Sequence, residues 1–325
     1  MAVGSGEARS ATTSAVAAAF EAERRFLWGL SYRMTGSAAD ADDVVQETFA
    51  RALEHPPASA AAPWRPWLVR VALNLARDLL RRRKRRAYPG TWLPSPVEVD
   101  DGESPPAYEP VLDGGTTTEG RYELMESVSL AFLLALEALT PRQRAVLLLR
   151  DVFDYSVEQT ADALDMSAAN VKTTHHRARR AMHEYDRARI VPTRELQERT
   201  RDTLLRFLHG LAHHDQAAVE ALLAEDARAL TDGGGELPAA RKVIVGRSRV
   251  ARYVLGVARR SRGRMPFEVR LLNGLPAAAA AIVVRPARDA RRLVTACDVD
   301  GKGRITRLYT VLASAKLAAV RFPAA

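Results

Sequence analysis

Apolar side chains recur at steps of three, four and seven through much of the first 190 residues, the period of helices with one buried face. Val157, Thr160, Ala161 and Leu164 form one such stripe, and Val171, Ala178 and Met182 form another after the short break Asp165-Met166. Capping signals set the helix starts. Thr140-x-x-Gln143, with Pro141 in the first turn, and Ser156-x-x-Gln159 each offer a hydroxyl to an orphan backbone N–H, which predicts starts at about 141 and 157. Ser167 caps a third helix. Because Val171, Ala178 and Met182 take its inner side, Asn170, Lys172, Thr173, His176, Arg177, Arg179 and Arg180 are left toward solvent. This helix-turn-helix has the outer face that duplex DNA requires, with short polar side chains for base edges and later arginines for phosphates. A solvated basic helix in an ordinary bundle is the competing reading.

Upstream, the pattern predicts helices over about 21–35, 40–54 and 65–86, separated by Gly36-Ser37 and by Pro56-Pro57 through Pro63-Trp64. In the second, Val44, Val45, Phe49 and Leu53 should bury, leaving Asp42, Asp43, Gln46, Glu47 and Arg51 outside. In the third, Leu68, Val71, Ala72, Leu75 and Leu79 should face inward, and Arg70, Asn74, Arg77, Asp78 and Arg81 outward. It ends in six consecutive cations, Arg81 to Arg86, which repel one another unless phosphates or acids gather around them. Trp64 and Trp67 offer faces on which unpaired bases can stack, or they belong to the core.

Residues 87–126 change character. Prolines 89, 94, 96, 105, 106 and 110 break helices, and acids outnumber bases, so the segment reads as an acidic connector with Trp92-Leu93-Pro94 as its one apolar anchor. Beyond Pro192 an amphipathic helix carries Leu196, Leu204, Phe207, Leu208 and Leu211, another holds Val219, Leu222 and Leu223, and a further helix covers about 247–260. Strands follow at about 266–272, 278–285, 292–299 and 304–312, with turns at Asn273-Gly274 and Asp300-Gly301. Helices followed by an antiparallel run make an α+β domain.

Composition narrows the partners. A chain of 325 residues accommodates two or three domains, and a formal charge of +9 favours a polyanion. The single cysteine, Cys297, excludes an internal disulfide framework and a cysteine-rich zinc site, in keeping with a reducing, cytoplasmic setting. No apolar run is long enough to span a bilayer, and a membrane partner is not expected. The first twenty residues, rich in Ala, Ser, Thr and Gly, lack the pattern of a signal peptide and read as a disordered tail. No metal or cofactor is implied.

Three ordered motifs carry a resemblance. Asp40-Ala-Asp-Asp-Val-Val-Gln-Glu-Thr-Phe49, Trp67-Leu-Val-Arg-Val-Ala-Leu-Asn-Leu-Ala-Arg-Asp-Leu-Leu-Arg81 and Leu139-Thr-Pro-Arg-Gln-Arg-Ala-Val-Leu-Leu-Leu149 with the helix-turn-helix resemble an extracytoplasmic-function sigma factor. The resemblance implies core RNA polymerase, through its β′ clamp helices and β subunit, and promoter DNA as partners. It assigns Asp42, Asp43, Gln46 and Glu47 to polymerase contact. The minus-ten element would fall to Trp64, Asn74, Arg77, Arg81 and Arg82, and the minus-thirty-five duplex to Asn170, Lys172, Thr173, His176 and Arg177. His175 departs from the pattern, standing where an apolar inner residue is usual. Either it packs neutral against Val171 and Met182, or the helix is rolled slightly.

The last third, with Asp232-Gly-Gly-Gly235 and Asn273-Gly-Leu-Pro-Ala277, resembles the SnoaL-like domain fused to one subgroup of these factors. A multidomain chain is then expected: two all-α sigma regions at 21–88 and 127–190, an acidic linker at 89–126, and an α+β SnoaL-like cone at 195–323. The resemblance makes Asp232, Gly233, Gly234, Gly235, Asn273, Gly274 and Pro276 a regulatory contact. Two departures are Glu236, where the pattern commonly has Lys, and Ser95, where Trp92-Leu-Pro-Ser-Pro96 commonly has an acid. A cone pocket could hold an unknown small ligand. Catalysis there would fall to His213, His214, Asp215 and Asp232, but a helix end and a glycine turn explain those residues more simply, and no enzyme is expected. The rival is a helix-turn-helix regulator with a ligand-sensing domain.

Overall fold

A computed structural model describes residues 3–57, 63–86, 88–98, 126–187, 189, 191–260, 265–282 and 290–323, with side chains from residue 12 onward. The chain forms two compact units. One holds the helices up to Arg86 and those from Ala131 to Arg189, and the other holds the described residues of 87–109, of 117–130 and after 190.

In the first unit α1 (Val3–Thr35), α2 (Ala38–Glu54) and α3 (Trp64–Arg86) come from the amino-terminal block. Gly36, at φ 67°, ends α1, and the Ser37 hydroxyl caps α2 by accepting from the Asp40 N–H. Leu27, Leu30, Met34, Val44, Phe49, Leu68 and Leu73 lie in the buried core. The expected disordered tail is overturned: α1 is helical from Val3, because Val16 and Ala19 bury and the Phe20 ring meets the edge of Phe49 at 4.9 Å. Leu53 is also a correction. It is 51% exposed, while Ala52 takes the inner position of the last turn. In α3 the buried face is rolled, with Val69, Leu73, Ala76 and Leu80 fully inside and Val71, Leu75 and Leu79 at its margin.

From Ala131 the same unit continues through the rest of α4 (Leu130–Ala135), then α5 (Pro141–Leu147), a π turn over Leu148–Val152, α6 (Val157–Leu164) and α7 (Ala168–Arg187). Both capping boxes form as read, at Thr140 with Gln143 and at Ser156 with Gln159.

The second unit carries α8 (Arg194–Ala212), α9 (Gln216–Ala221) and α10 (Arg247–Arg260) with six strands. These are β1 (Leu223–Asp232), β2 (Ile244–Val245), β3 (Phe267–Leu272), β4 (Leu275–Ala281), β5 (Arg292–Val299) and β6 (Ile305–Val311), in the order β2-β1-β6-β5-β4-β3. The sheet is mixed rather than a simple antiparallel run, because β1 lies parallel to β6. Leu223, expected in a helix, opens β1, a strand of Ala, Glu, Asp and Arg whose local preference is not for strand. Leu204 and Phe207 of α8 and Val250 and Leu255 of α10 share one core with Ala227, Cys297, Val299 and Leu308 of the sheet. Among the described residues no helix is long and apolar enough to cross a membrane.

Candidate nucleic-acid interface and linker anchor

Asp165 adopts a left-handed conformation at φ 51°, turning the chain so that Ser167 can cap α7 by accepting from the Asn170 N–H at 3.2 Å. Val171, Ala178 and Met182 are the buried residues of α7, as the spacing predicts, and Asn170, Lys172, Thr173, His176 and Arg177 are all exposed. The His175 alternatives are both replaced. Its Nε2 lies 2.7 Å from Asp151 Oδ1 in the π turn, and Arg179 Nε donates to the other oxygen of that carboxylate at 3.0 Å. Asp151 therefore fixes the roll of α7 and screens one of its arginines, leaving Lys172, Arg177 and Arg180 as the outward cations.

The face expected to meet polymerase is uneven. Asp43, Gln46 and Glu47 are exposed, with Glu47 bonded to Arg51 at 2.8 Å. Asp42 is half-buried and accepts from Trp28 Nε1 at 2.8 Å. Burial pushes its carboxyl above the usual range, the Trp28 bond pulls it down, and Asp43 raises it further. On α3, Asn74, Arg81 and Arg82 are exposed, and Trp64 and Trp67 are half-buried. Arg77 is a correction: it is buried beside the core, with Nη1 on Asn74 Oδ1 at 3.2 Å. Its pKa is lowered by burial, then by Arg81 and Arg142, so it is the one member of that set with a cost for staying charged.

The two helical blocks are bonded to each other, which sequence reasoning missed. Arg83, inside the cation run, donates to Thr35 O at 2.7 Å and reaches both Glu137 carboxylate oxygens at 2.7 and 2.8 Å. Arg144, buried, donates to Met34 O and Leu136 O at 2.7 Å and to the same Glu137 at 2.8 Å. Arg70 on α3 donates to Asp162 O on α6 at 2.8 Å.

In the second unit the connector segment 88–98 is laid along the α+β domain by charge. Asp232, 0% exposed, accepts from Tyr88 Oη at 2.6 Å, Leu93 N at 2.8 Å, Gly234 N at 2.9 Å and Lys316 Nζ at 2.6 Å. Lys316 Nζ also stands 4.5 Å from the centre of the Trp92 ring and 4.6 Å from that of Tyr88, and bonds Leu93 O. Gly233 has no room for a side chain, since a Cβ would come within 2.3 Å of Leu237 O. The Lys316 ammonium therefore supplies the cation at Asp232, while Glu236 is exposed and Ser95 is buried.

Asn273 ties the connector twice. Its Oδ1 accepts from Val97 N at 3.1 Å, its backbone N–H donates to Val97 O at 2.9 Å, and its Nδ2 donates to Val128 O at 2.7 Å. Asn273-Gly274 makes the β3–β4 turn at φ 53° and 83°, with Gly274 O accepting from Gln197 and Pro276 buried in β4. Glu98 closes the row, taking Arg321 N at 2.9 Å and Arg321 Nε at 2.8 Å. As for the catalytic alternative, Asp215 is spent as the cap of α9, accepting from Ala218 N at 2.9 Å. His213 and His214 are exposed at that helix junction.

Residues 19–86 match the family model described as Sigma-70 region 2, and residues 129–182 match Sigma-70, region 4. The ECF RNA polymerase sigma factor SigJ of Mycobacterium tuberculosis (strain ATCC 25618 / H37Rv) is 31% identical over 245 residues, covering 74% of this chain and 72% of that one. SigG of the same organism is 40% identical over 172 residues, covering 49% of this chain and 45% of SigG. The crystal structure of M. tuberculosis SigJ superposes with a TM-score of 0.68 at 27% identity, over 94% of this chain and all of that one.

Proposed function

Because the chain belongs to the extracytoplasmic-function sigma factors, which direct core RNA polymerase to promoters, we propose that it holds its two DNA modules together until polymerase releases the connector between them. As a sigma factor it is a transcription initiation protein. In this reading Asn170, Lys172, Thr173, His176 and Arg177 read the minus-thirty-five duplex. Asn74, Arg81 and Arg82 hold the opened minus-ten strand beside Trp64, with Arg77 positioning Asn74 from beneath. Asp43, Gln46 and Glu47 meet the β′ clamp helices, and Asp42 joins them only by giving up Trp28.

The observation that carries the proposal is the pair of side-chain hydrogen bonds that join Asn273 to Val97 and to Val128. The two promoter elements lie about 25 base pairs apart, on the order of 80 Å of duplex. While Asn273 holds both points, the path from Arg86 to Leu130 has eleven residues to Val97 and two from Val128, about 45 Å at full stretch besides the short span of Asn273 itself. Released, the whole connector reaches on the order of 150 Å. The bonds from Arg70 and from Arg83 and Arg144 to Glu137 add a second restraint within the helical unit. The Asp232, Gly233–Gly235, Asn273, Gly274 and Pro276 contact is thus a regulatory clamp on the connector.

Asn273→Gly tests this, since glycine keeps the turn conformation and removes the side-chain bonds to both points. With limiting core polymerase, run-off transcription from a cognate promoter should rise several-fold at unchanged start site. Output equal to the parent chain would refute the clamp.

A further inference from the structure

From Leu237 to Phe267 the sequence holds nine Lys or Arg and no Asp or Glu, as many cations as the formal charge of +9 on the whole chain. None of the described cations among them is taken up by the promoter-reading or connector contacts above. The segment contains α10, whose Val250, Ala251, Val254 and Leu255 are buried against the sheet. On the opposite side Arg249, Arg252, Arg259 and Arg260 are exposed, with Gly256 between them. Steps of three, four, three and one place these five positions within an arc of about 100°, and Arg249 to Arg260 spans about 16 Å of helix axis. Exposed Arg241 and Lys242 precede the helix in sequence.

Helix stability does not explain the stripe. Arg259 and Arg260 suit the negative end of the helix dipole, but Arg247 and Arg249 stand in its first turn, where no acid is present and cations are disfavoured. Nor are the charges neutralised. Among the described residues no carboxylate pairs with Arg249, Arg252, Arg259 or Arg260, and the Arg252 bond is to Ser248 O of its own helix at 3.3 Å. Arg247 is different, since its Nε donates to Leu223 O at 3.0 Å and so braces β1.

We propose that this arginine stripe of α10 is a phosphate-tracking surface for duplex DNA, a third DNA contact of the chain besides its two promoter-reading modules. A straight row of guanidinium groups matches one strand of a duplex, which presents a phosphate for each 3.4 Å of axis. Duplex is also the polyanion the bound factor holds nearby, at the high effective concentration that a tethered second contact exploits. The exposed Val245, Val257 and Phe267 in the same segment make an anionic membrane the competing occupant.

The test uses the full chain assembled with core polymerase on a promoter fragment carrying a long upstream extension. Each neutralised phosphate contributes about 0.9 to the slope of log affinity against log salt. Arg249→Gln, Arg252→Gln, Arg259→Gln and Arg260→Gln together should make that slope shallower by about 2 to 4. Gly256→Arg adds a cation to the stripe, at a position where a Cβ meets nothing within 4 Å, and should steepen the slope by about one. Gly256→Glu should weaken binding. Should the quadruple variant fail to fold, the opposed pair at Gly256 decides alone. Identical slopes for every variant overturn the proposal. So does a result in which the variants change binding to phosphatidylglycerol vesicles and leave duplex binding as it was.

Discussion

Asp151 decides what the recognition helix can offer to DNA. Its carboxylate lies between His175 and Arg179, so the charge of Arg179 is already met while that of Arg177 is not. Arg177→Gln should therefore lower affinity for a minus-thirty-five duplex and flatten its salt dependence by about 0.9 in slope, with Arg179→Gln changing it by clearly less. Fluorescence anisotropy over a salt series separates the two, and equal effects would contradict the role given to Asp151. A second buried carboxylate sets a pH dependence. Burial pushes Asp298 above the usual carboxylate range, against the Tyr309 hydroxyl, which donates to it at 2.6 Å, and against Arg307. A raised carboxyl binds its proton more tightly in the folded chain than in the unfolded one. Its contribution is thus fully present below about pH 4 and is lost as pH rises through the folded value. Asp298→Asn keeps an acceptor for Tyr309 and should flatten that decline in thermal unfolding of the full chain. A decline of the same steepness in the variant would show that another group is responsible.

Secondary elements differ in how much of them the local sequence carries. The starts of α5, α6 and α7 were legible because each is written by its own cap within four residues, at Thr140, Ser156 and Ser167. The face of α7 followed, since Val171, Ala178 and Met182 leave one solution for its roll. Strand β1 was not legible: Ala, Glu, Asp and Arg make a strand only because β6 lies parallel beside it. The apolar spacing of α3 leaves its roll open by a fraction of a turn, and that fraction puts Arg77 in the core and not at the surface. The glycines of 233–235 and the Asn273 turn announced a tight structure, yet nothing local says that Tyr88 and Leu93 meet Asp232 about 140 residues away. That contact has a measurable weight. Asp232→Ala leaves the Lys316 ammonium half of a buried pair and should destabilise the domain by about 3–5 kcal/mol. Pairing it with Lys316→Met should recover a good part of that loss. Additive costs in the double-mutant cycle, read by urea unfolding, would mean that the pair is not coupled.

At the scale of the whole chain, in the proposed reading, two restraints act on one quantity, the separation of the DNA modules. One lies within the helical unit, where Glu137 takes Arg83 and Arg144 together, and the other is the hold of Asn273 on both parts of the connector. Hydrogen bonds to charged groups, as at Glu137, contribute about 1.5–3 kcal/mol each and neutral ones, as at Asn273, about 0.5–1.5 kcal/mol, so in the proposed reading they form a lock that polymerase binding can open. Glu137→Gln should ease the first restraint and raise initiation at limiting polymerase. Combined with Asn273→Gly it should exceed either single change. A double variant that initiates no better than the parent would show that neither restraint limits assembly.

The most direct measurement of the central claim is the distance between the modules, read by energy transfer between dyes on introduced cysteines at exposed Leu53 of α2 and exposed Arg187 of α7. Cys297 is buried, with its thiol pushed up by burial, so it stays unlabelled in the folded chain. The free chain should show efficient transfer that is lost on adding core polymerase, and Asn273→Gly should shift the loss to lower polymerase concentration. Transfer that is already low in the free chain, or a polymerase dependence untouched by that substitution, would contradict the account.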